Sequence, residues 1–232
     1  MKTVLIVGGT RGLGLAMGKA FQQAGWSIVV TWQEDGVSAR QAADCLGAGA
    51  TILQADSRDS RAAEKVTKLQ TIQASSQLVY IHNAAAVFEP KPLHLQGWPD
   101  YLLQMEVGLR SLIHFTGLLL PLMTRHKYGR VVPVLTRAVH SPIPKGMAAY
   151  LTNKAAMGEF SRCLDTEYRG RGIRSFCVEP GYMESKFTRS WPEMIRKKAG
   201  EGPISRPDRL AQEVLKRCLD IRAEEEASPL RD

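Results

Sequence analysis

The stretch Thr3-Val4-Leu5-Ile6-Val7-Gly8-Gly9-Thr10-Arg11-Gly12-Leu13-Gly14 sets the fold of this chain. Thr3–Val7 is an apolar run typical of a buried strand, and the glycines that follow open a predicted helix over Gly12–Ala24. Glycines at such a turn let the backbone bend sharply and approach a phosphate group, whose charge the helix N-terminus stabilises. A tight turn without a ligand is the alternative, but the strand–turn–helix context favours a nucleotide site.

Strand and helix signals alternate from this unit to the far end of the chain. Five further strands are predicted at Ser27–Thr31, Thr51–Gln54, Leu78–His82, Arg130–Leu135 and Arg174–Val178. The other helices are predicted at Gly36–Leu46, Ser60–Ala74, Pro99–Met123 and Ala148–Arg169. Strands joined by helical crossovers form a parallel sheet covered on both faces. The sequence therefore predicts a doubly wound α/β fold, in a single domain over residues 1–232.

The composition is that of an ordinary globular protein and favours an anionic ligand. The 232 residues are 44% hydrophobic and 23% charged, with a formal net charge of +8. An excess of positive charge favours phosphates, carboxylates or an acidic partner protein. Nucleic acid is not expected, because the basic residues are scattered and form no arm or stripe.

A membrane location is not expected either. Tyr101–Met123 is apolar enough to raise the question, but Glu106, Arg110 and His114 recur every four residues along it, as in a buried amphipathic helix. Val4–Val7 is far too short for a secretory signal. The four cysteines have no metal-ligand or redox spacing, so we expect reduced thiols, a cytoplasmic protein and no metal site.

The pair Tyr150 and Lys154 is the candidate for chemistry. Residues four apart lie on the same face of a helix. An ammonium beside a phenol favours the phenolate, so we expect the pKa of Tyr150 to be lowered from its usual value of about 10. Such a phenol can exchange a proton near neutral pH, as general acid–base catalysis requires. The same spacing also occurs on ordinary surface helices, so the pair alone does not decide the function.

The end of the second predicted strand bears on the choice of nucleotide. Sites that prefer NAD usually place an acidic residue on the adenosine ribose there. Thr31–Gln33 carries no acid, and Arg11 lies inside the glycine turn, where its guanidinium can pair with a 2′-phosphate. A solvated loop arginine is the alternative. The sequence therefore favours NADP(H), with NAD(H) as the second choice.

Three further motifs follow later strands. Asp56-Ser57 comes after the third strand, His82-Asn83-Ala84-Ala85 after the fourth, and Pro180-Gly181 after the sixth, with Ser185 close behind. Together with the glycine turn and the Tyr150/Lys154 pair, and in this order, these motifs are specific. The chain resembles a short-chain dehydrogenase/reductase of the single-domain type over nearly its whole length.

The resemblance implies a Rossmann fold and hydride transfer between a nicotinamide and a carbonyl or alcohol. Tyr150 would be the general acid or base, and Lys154 would bind the nicotinamide ribose. Thr136 would hold the substrate oxygen where the family has a serine, and Ser141 is the weaker alternative for that role. The cofactor-binding residues that the resemblance implies are Gly8, Thr10, Arg11, Gly12, Leu13, Gly14, Asp56, Ser57, Asn83, Ala84, Lys154, Pro180, Gly181 and Ser185.

Two departures from the family leave a rival function open. Gly108 stands where the family's long helix carries a catalytic asparagine. Arg222–Asp232 has no β pattern where the family usually has a seventh strand, so six or seven strands are expected. These departures favour a catalytically weak or inactive protein that binds nucleotide as a sensor or scaffold. The joint presence of Tyr150, Lys154 and Thr136 favours an NADP(H)-dependent ketoreductase.

The segment Tyr182–Ser205 is expected to select the substrate. It mixes apolar with basic residues, which is typical of an amphipathic lid with a solvated basic face. The alternatives are an anionic substrate or an acyl group on an acidic carrier protein. The predicted substrate contacts are Phe88, Tyr182, Met183 and Trp191.

Relatives of this family commonly pair through the long helix and the helix that carries the tyrosine and lysine. Small residues on the latter allow close approach of two copies: Ala148, Ala149, Ala155, Ala156 and Gly158. We therefore expect a homodimer. A tetramer is the second choice, because its additional contact usually involves the seventh strand, for which the sequence shows no β pattern.

Overall fold

A six-stranded parallel sheet forms the centre of the molecule. The computed structural model describes residues 1–140, 144–189, 191–201, 204–220 and 229–231, with the side chains of 198–200 excepted. The strands of the sheet are β1 (Lys2–Val7), β2 (Ser27–Trp32), β3 (Ala50–Gln54), β4 (Gln77–His82), β5 (Gly129–Pro133) and β6 (Ile173–Ser175). Their order is β3-β2-β1-β4-β5-β6.

Helices cover both faces of the sheet. They are α1 (Gly12–Gln23), α2 (Gly36–Leu46), α3 (Ser60–Thr67), α4 (Gln70–Gln73), α5 (Trp98–Met105), α6 (Ser111–His126), α7 (Ala148–Tyr168), α8 (Glu193–Gly200) and α9 (Pro207–Asp220). The strand order reverses between β1 and β4, and in open α/β sheets ligands bind outside the carboxyl ends of the strands at this position. The prediction of a doubly wound α/β fold is confirmed.

The first strand is apolar throughout because it is buried on both sides. Residues 4–7 are each at most 1% exposed. Val4 and Ile6 pack into the core beneath α1 and α9, whereas Leu5 and Val7 pack into the core beneath α6 and α7. A strand with two buried faces needs apolar residues at successive positions. Burial on both faces therefore accounts for the uninterrupted apolar run over residues 4–7.

Two predicted helices differ from those observed. The predicted helix Ser60–Ala74 is divided into α3 and α4, because Leu69 adopts an extended conformation at φ −55° and ψ 139°. The predicted helix Pro99–Met123 runs from Trp98 to His126 and contains one π-helical turn, Glu106–Arg110. A π turn accommodates an extra residue and frequently occurs at functional sites.

The C-terminal end of the described chain forms a short strand. β7 (Val178–Glu179) pairs in parallel with β8 (Leu230–Arg231) in a separate two-stranded sheet. The expectation that the chain after Arg222 has no β structure is therefore wrong at positions 230 and 231. An ion pair between Arg231 Nε and Glu179 Oε2, 2.6 Å long, holds this strand in place. The principal sheet nevertheless has six strands.

One continuous helical span in the described ranges, Trp98–His126, is long and apolar enough to cross a membrane. Half of its most apolar window is buried inside the protein. Leu112, Phe115 and Leu119 lie in the core between this helix and the sheet. Core helices meet the same length criterion, so the packing against the sheet accounts for the apolar composition.

Candidate active site

The glycine turn after β1 is packed against the end of β4. Gly8 has φ +82°, and a Cβ there would lie 3.0 Å from the Ala84 nitrogen. The Asn83 side chain donates a hydrogen bond to the Gly8 carbonyl at 2.8 Å. A Cβ at Gly14 would collide with that same carbonyl. Side chains at positions 8 and 14 would therefore push the glycine turn away from the end of β4.

The first turn of α1 is built to meet an anion. Its N-cap residue, Arg11, makes no side-chain cap. Gly12 has φ +52°, and a Cβ there would meet no atom within 4 Å among the described residues. Thr10 and Leu13 are buried beside it. Uncapped N–H groups at a helix N-terminus with open space in front of them suit a phosphate, so this turn fits the pyrophosphate of a dinucleotide.

Acidic groups next to this turn already have basic partners. Asp56, after β3, accepts hydrogen bonds from Arg58 at 2.7 Å and from Gln33 at 3.1 Å. The Arg58 guanidinium holds the pKa of that carboxyl below its ordinary value. Ser57 lies beside it and is partly buried. Arg11 forms an ion pair with Asp35, the residue after Glu34, with 2.9 Å between Nη1 and Oδ2.

Lys154 is buried below the carboxyl end of β5. Its Nζ donates a hydrogen bond to the Val134 carbonyl at 2.7 Å, and the residue is 2% exposed. Burial lowers the pKa of the ammonium to about 8. The Nζ atom lies 5.7 Å from the centre of the Tyr150 ring. The structure therefore places the two residues of the predicted pair together on α7.

The expected lowering of the Tyr150 pKa is not what the structure gives. Tyr150 is 7% exposed, and burial raises the pKa of its phenol well above the ordinary value. A side-chain hydrogen bond with Thr136 opposes this shift without reversing it. The physical reason is desolvation, which disfavours a phenolate more strongly than a lysine near the ring favours it.

Thr136 follows β5 and lies next to Tyr150. Its hydroxyl accepts a hydrogen bond from the Ala138 N–H at 3.3 Å and caps the short 3₁₀ turn Arg137–Val139. The Arg137 N–H donates to the Pro180 carbonyl at 2.9 Å, which fixes this turn against the Pro180-Gly181 motif. Ser141, the alternative to Thr136, lies outside the described residues.

Aromatic side chains cover Tyr150. Phe88 stacks on its ring with 4.9 Å between centroids, and Phe187 lies 5.7 Å away. Trp191 packs on Phe88 at 5.7 Å and on Tyr182 at 6.5 Å. Three of the four predicted substrate contacts therefore belong to the same apolar cluster as the tyrosine. Phe187 joins them without having been predicted as one.

Met183, the fourth predicted substrate contact, lies elsewhere. It packs against the core beneath α1 and α9 rather than in the cluster around Tyr150. Its neighbour Tyr182 has the opposite orientation, because successive residues of an extended segment alternate in direction. The prediction for Met183 does not agree with this placement.

The two ends of the segment Tyr182–Ser205 lie side by side. The Gly181 N–H donates to the Ser205 hydroxyl at 2.6 Å, and the Ser205 N–H donates to the Tyr182 carbonyl at 3.0 Å. Ser185, partly buried within the segment, donates its N–H to the Thr188 hydroxyl at 3.1 Å. The segment thus leaves and rejoins the fold at one place.

The π turn between α5 and α6 contacts α7 at the residue before Lys154. The Asn153 side chain accepts a hydrogen bond from the Leu109 N–H at 3.0 Å. A Cβ at Gly108 would lie 2.6 Å from the Asn153 Oδ1 atom. Asn153 is 2% exposed. Sequence reasoning missed this residue, although a polar amide on the buried face of a helix was a signal.

His82 is a structural residue whose tautomer is fixed by its two hydrogen-bond partners. Its Nε2 lies 3.1 Å from the Val107 carbonyl, which can only accept, so Nε2 carries the proton. The Tyr80 hydroxyl then donates to Nδ1 at 2.8 Å. Burial, and secondly the Lys154 charge, lower the pKa of the imidazole to about 3. The histidine is therefore neutral at physiological pH.

A cavity of about 270 Å³ opens beside Tyr150. Its lining combines apolar and polar side chains, including Phe88, Gln96, Leu103, Gln104 and Met147. The Gln96 Oε1 atom accepts the Ala149 N–H at 3.0 Å, so this glutamine also fixes the start of α7. A partly apolar cavity beside a buried phenol is suited to a small organic substrate.

The family model described as short chain dehydrogenase matches residues 2–196. This chain belongs to the short-chain dehydrogenase family. A probable NADP-dependent dehydrogenase of Haemophilus influenzae is 30% identical over 77% of the chain and 70% of that protein. Serine 3-dehydrogenase of Agrobacterium fabrum is 28% identical over 80% of the chain and 74% of that protein. The chain is thus an oxidoreductase that acts on CH–OH groups, as its family does.

Solved structures agree with the fold of this short-chain dehydrogenase. The 3-ketoacyl-(acyl-carrier-protein) reductase of Brucella melitensis, complexed with NADH, superposes with a TM-score of 0.88. It is 19% identical, and the match covers 99% of this chain and 96% of that one. At this identity the comparison shows the shared fold.

Proposed function

We propose that this short-chain dehydrogenase is an NADP(H)-dependent ketoreductase in which Tyr150 is the general acid in reduction and the general base in oxidation. The observation that carries the proposal is that one buried phenol lines a cavity, while one buried ammonium and one hydroxyl lie next to that phenol. Tyr150, Lys154 and Thr136 come from two different elements that meet only in the folded chain.

A bound nicotinamide would supply the hydride in reduction and accept it in oxidation. Tyr150 donates its proton to the carbonyl oxygen of the substrate, and its raised pKa keeps it protonated throughout the neutral range. Thr136 donates a hydrogen bond to that same oxygen as negative charge develops on it. The Lys154 ammonium would hold the nicotinamide ribose, and it adds positive charge near the phenol.

NADP(H) is favoured over NAD(H) by the side chains around the glycine turn. Arg11 is 46% exposed at its side chain and can turn from Asp35 to a 2′-phosphate. Thr31–Gln33 carries no acid to accept a ribose hydroxyl. The Haemophilus influenzae relative, a probable NADP-dependent dehydrogenase, is consistent with this preference.

The substrate is proposed to be a small carbonyl compound, with an anionic group or a carrier-bound acyl chain as the alternatives. Basic side chains in the segment Tyr182–Ser205, among them Arg189 and Lys197, are exposed to solvent. The names of a serine 3-dehydrogenase and a 3-ketoacyl-(acyl-carrier-protein) reductase among similar proteins agree with such substrates. In this proposal the segment Tyr182–Ser205 is a lid, and its aromatic residues exclude water from Tyr150.

The rival function is a nucleotide-binding sensor or scaffold. The Asn153 amide, from the neighbouring helix, supplies a polar group next to Gly108, so the glycine at that position does not by itself favour this rival. Oxidation of NADPH on addition of small ketones, 3-oxo acids and their thioesters tests the proposal. Tight NADPH binding without turnover of any carbonyl or alcohol would favour the sensor instead.

A further inference from the structure

Three distant parts of the chain meet at the carboxylate of Asp35. Arg11 Nη1 lies 2.9 Å from Oδ2, and Lys186 Nζ lies 2.8 Å from the same oxygen. Ser38 donates its N–H to Oδ1 at 3.0 Å and its hydroxyl to Oδ2 at 2.7 Å. The carboxylate therefore has four donors, of which two are cations from other segments.

The two cations belong to different segments of the site. Arg11 belongs to the glycine turn and is the N-cap residue of α1. Lys186 belongs to the segment Tyr182–Ser205 and directly precedes Phe187, whose ring packs on Tyr150. Asp35 itself caps α2, one turn after the end of β2. Lys186 thus connects the segment that covers the tyrosine with the end of the sheet where the glycine turn lies.

The ion pairs are suited to exchange rather than to rigid support. The side chains of Arg11, Asp35 and Lys186 are 46%, 25% and 50% exposed. Exposed pairs contribute little to folding because water and salt screen them. Lys186, followed by Ser38, holds the pKa of Asp35 well below its ordinary value, so the carboxylate stays charged at neutral pH. A second anion would therefore compete with Asp35 for the same cations.

We propose that Lys186 is a specificity-determining residue for NADP(H), which together with Arg11 exchanges the Asp35 carboxylate for the 2′-phosphate. This inference rests on the proposed function, because it requires a phosphorylated dinucleotide in the site. The exchange links recognition of the adenosine end to the position of Phe187 over Tyr150. Asp35 competes with the phosphate, and its charge lowers the affinity for NADP(H) but not for NAD(H).

Binding isotherms test the assignment without measuring turnover. NADPH, NADH, 2′,5′-ADP and 5′-ADP are titrated into the wild type, Lys186→Met, Asp35→Asn and a control, Lys197→Met. Lys197 is an exposed cation of the same segment, so Lys197→Met changes the net charge by the same amount as Lys186→Met. Lys186→Met should weaken NADPH and 2′,5′-ADP about tenfold or more and leave NADH and 5′-ADP within about twofold. Asp35→Asn should tighten NADPH relative to NADH, and Lys197→Met should change neither ratio.

An NADPH/NADH affinity ratio in Lys186→Met equal to that of the wild type would overturn the inference. So would a loss of NADPH affinity in Lys197→Met as large as that in Lys186→Met. Limited trypsin digestion gives an independent readout of the link to the segment. In the wild type, 2′,5′-ADP should slow cleavage at Arg189 and Lys197 more than 5′-ADP does. In Lys186→Met, the two nucleotides should slow this cleavage equally. Equal protection by both in the wild type would overturn the link. Failure of the wild type to bind either dinucleotide would reject the proposed function itself.

Discussion

The Asn153 amide fills the space that a side chain at Gly108 would need. The amide accepts the Leu109 N–H at 3.0 Å, within the π turn that interrupts the long helix. A Cβ at position 108 would lie 2.6 Å from its oxygen. The two residues are therefore complementary: glycine opens the gap in one helix, and asparagine from α7 closes it beside Lys154.

Gly108→Ala should destabilise the protein despite alanine's better helix propensity. The added methyl must displace a buried amide, which costs about 1–3 kcal/mol, whereas propensity returns at most about 1 kcal/mol. The free energy of unfolding in urea measures the difference. The variant should be less stable than the wild type.

Gly117→Ala is the matched control, since a Cβ there meets no described atom within 4 Å in the same helix. It should be neutral or stabilising by up to about 1 kcal/mol. The double variant Gly108→Ala/Asn153→Ala should lose about 1 kcal/mol less unfolding free energy than the sum of the losses in the two single variants. Strict additivity would contradict the complementary fit.

Thr136→Ala should lower kcat at least about tenfold, because the hydroxyl donates to an oxygen on which charge develops. Thr136→Ser keeps the hydroxyl and should retain most of the turnover. Steady-state kinetics with a saturating carbonyl substrate distinguishes the two variants. Undiminished kcat in Thr136→Ala would exclude this role for Thr136 and leave Ser141 as the candidate.

The fold could be predicted because its signals are local. Thr3–Val7 was predicted as a strand and is observed as Lys2–Val7, since burial on both faces requires successive apolar residues. The glycine turn was recognisable because only glycine tolerates φ +82° at position 8 so close to the β4 loop. Such requirements are visible in single residues and their neighbours.

The candidate site was less predictable because its environment comes from distant segments. The spacing of Tyr150 and Lys154 predicts their proximity but not their burial, which Phe88, Phe187 and Trp191 supply. The expected pKa of Tyr150 was wrong for that reason. Asn153 was missed because helix periodicity shows which face it lies on, not which residue lies opposite.

His82 should make the protein acid-sensitive. Its folded-state pKa of about 3 lies below the ordinary 6.5. The stabilisation from neutral His82 is therefore complete above pH 6.5 and is lost as the pH falls towards 3, by up to about 1.4 kcal/mol per pH unit. Urea unfolding at pH 7, 6 and 5 should show a steeper loss for the wild type than for His82→Asn. Parallel curves for the two proteins would contradict a neutral, buried imidazole.

The proposed homodimer should contact itself through α6 and α7. Ala155 is exposed on α7, and Ala148 and Ala156 are partly exposed, so a second helix can approach closely there. Ala149 is buried and a Cβ at Gly158 would face Leu135 of the same chain, so these two residues are not part of that surface. Ala155→Glu places a charge in that contact and should shift the protein towards the monomer. Light scattering at micromolar concentration measures the mass of both. A monomeric wild type would refute the dimer, and a tetramer would require a second contact.

In the proposed reaction Tyr150 transfers the proton, and Tyr150→Phe removes only the hydroxyl that does so. The measurement is kcat for NADPH-dependent reduction, with NADPH affinity determined on the same preparation. We expect kcat to fall by about 10²–10⁴-fold while the NADPH affinity changes by less than about twofold. Turnover that survives in Tyr150→Phe would contradict a proton transfer by Tyr150.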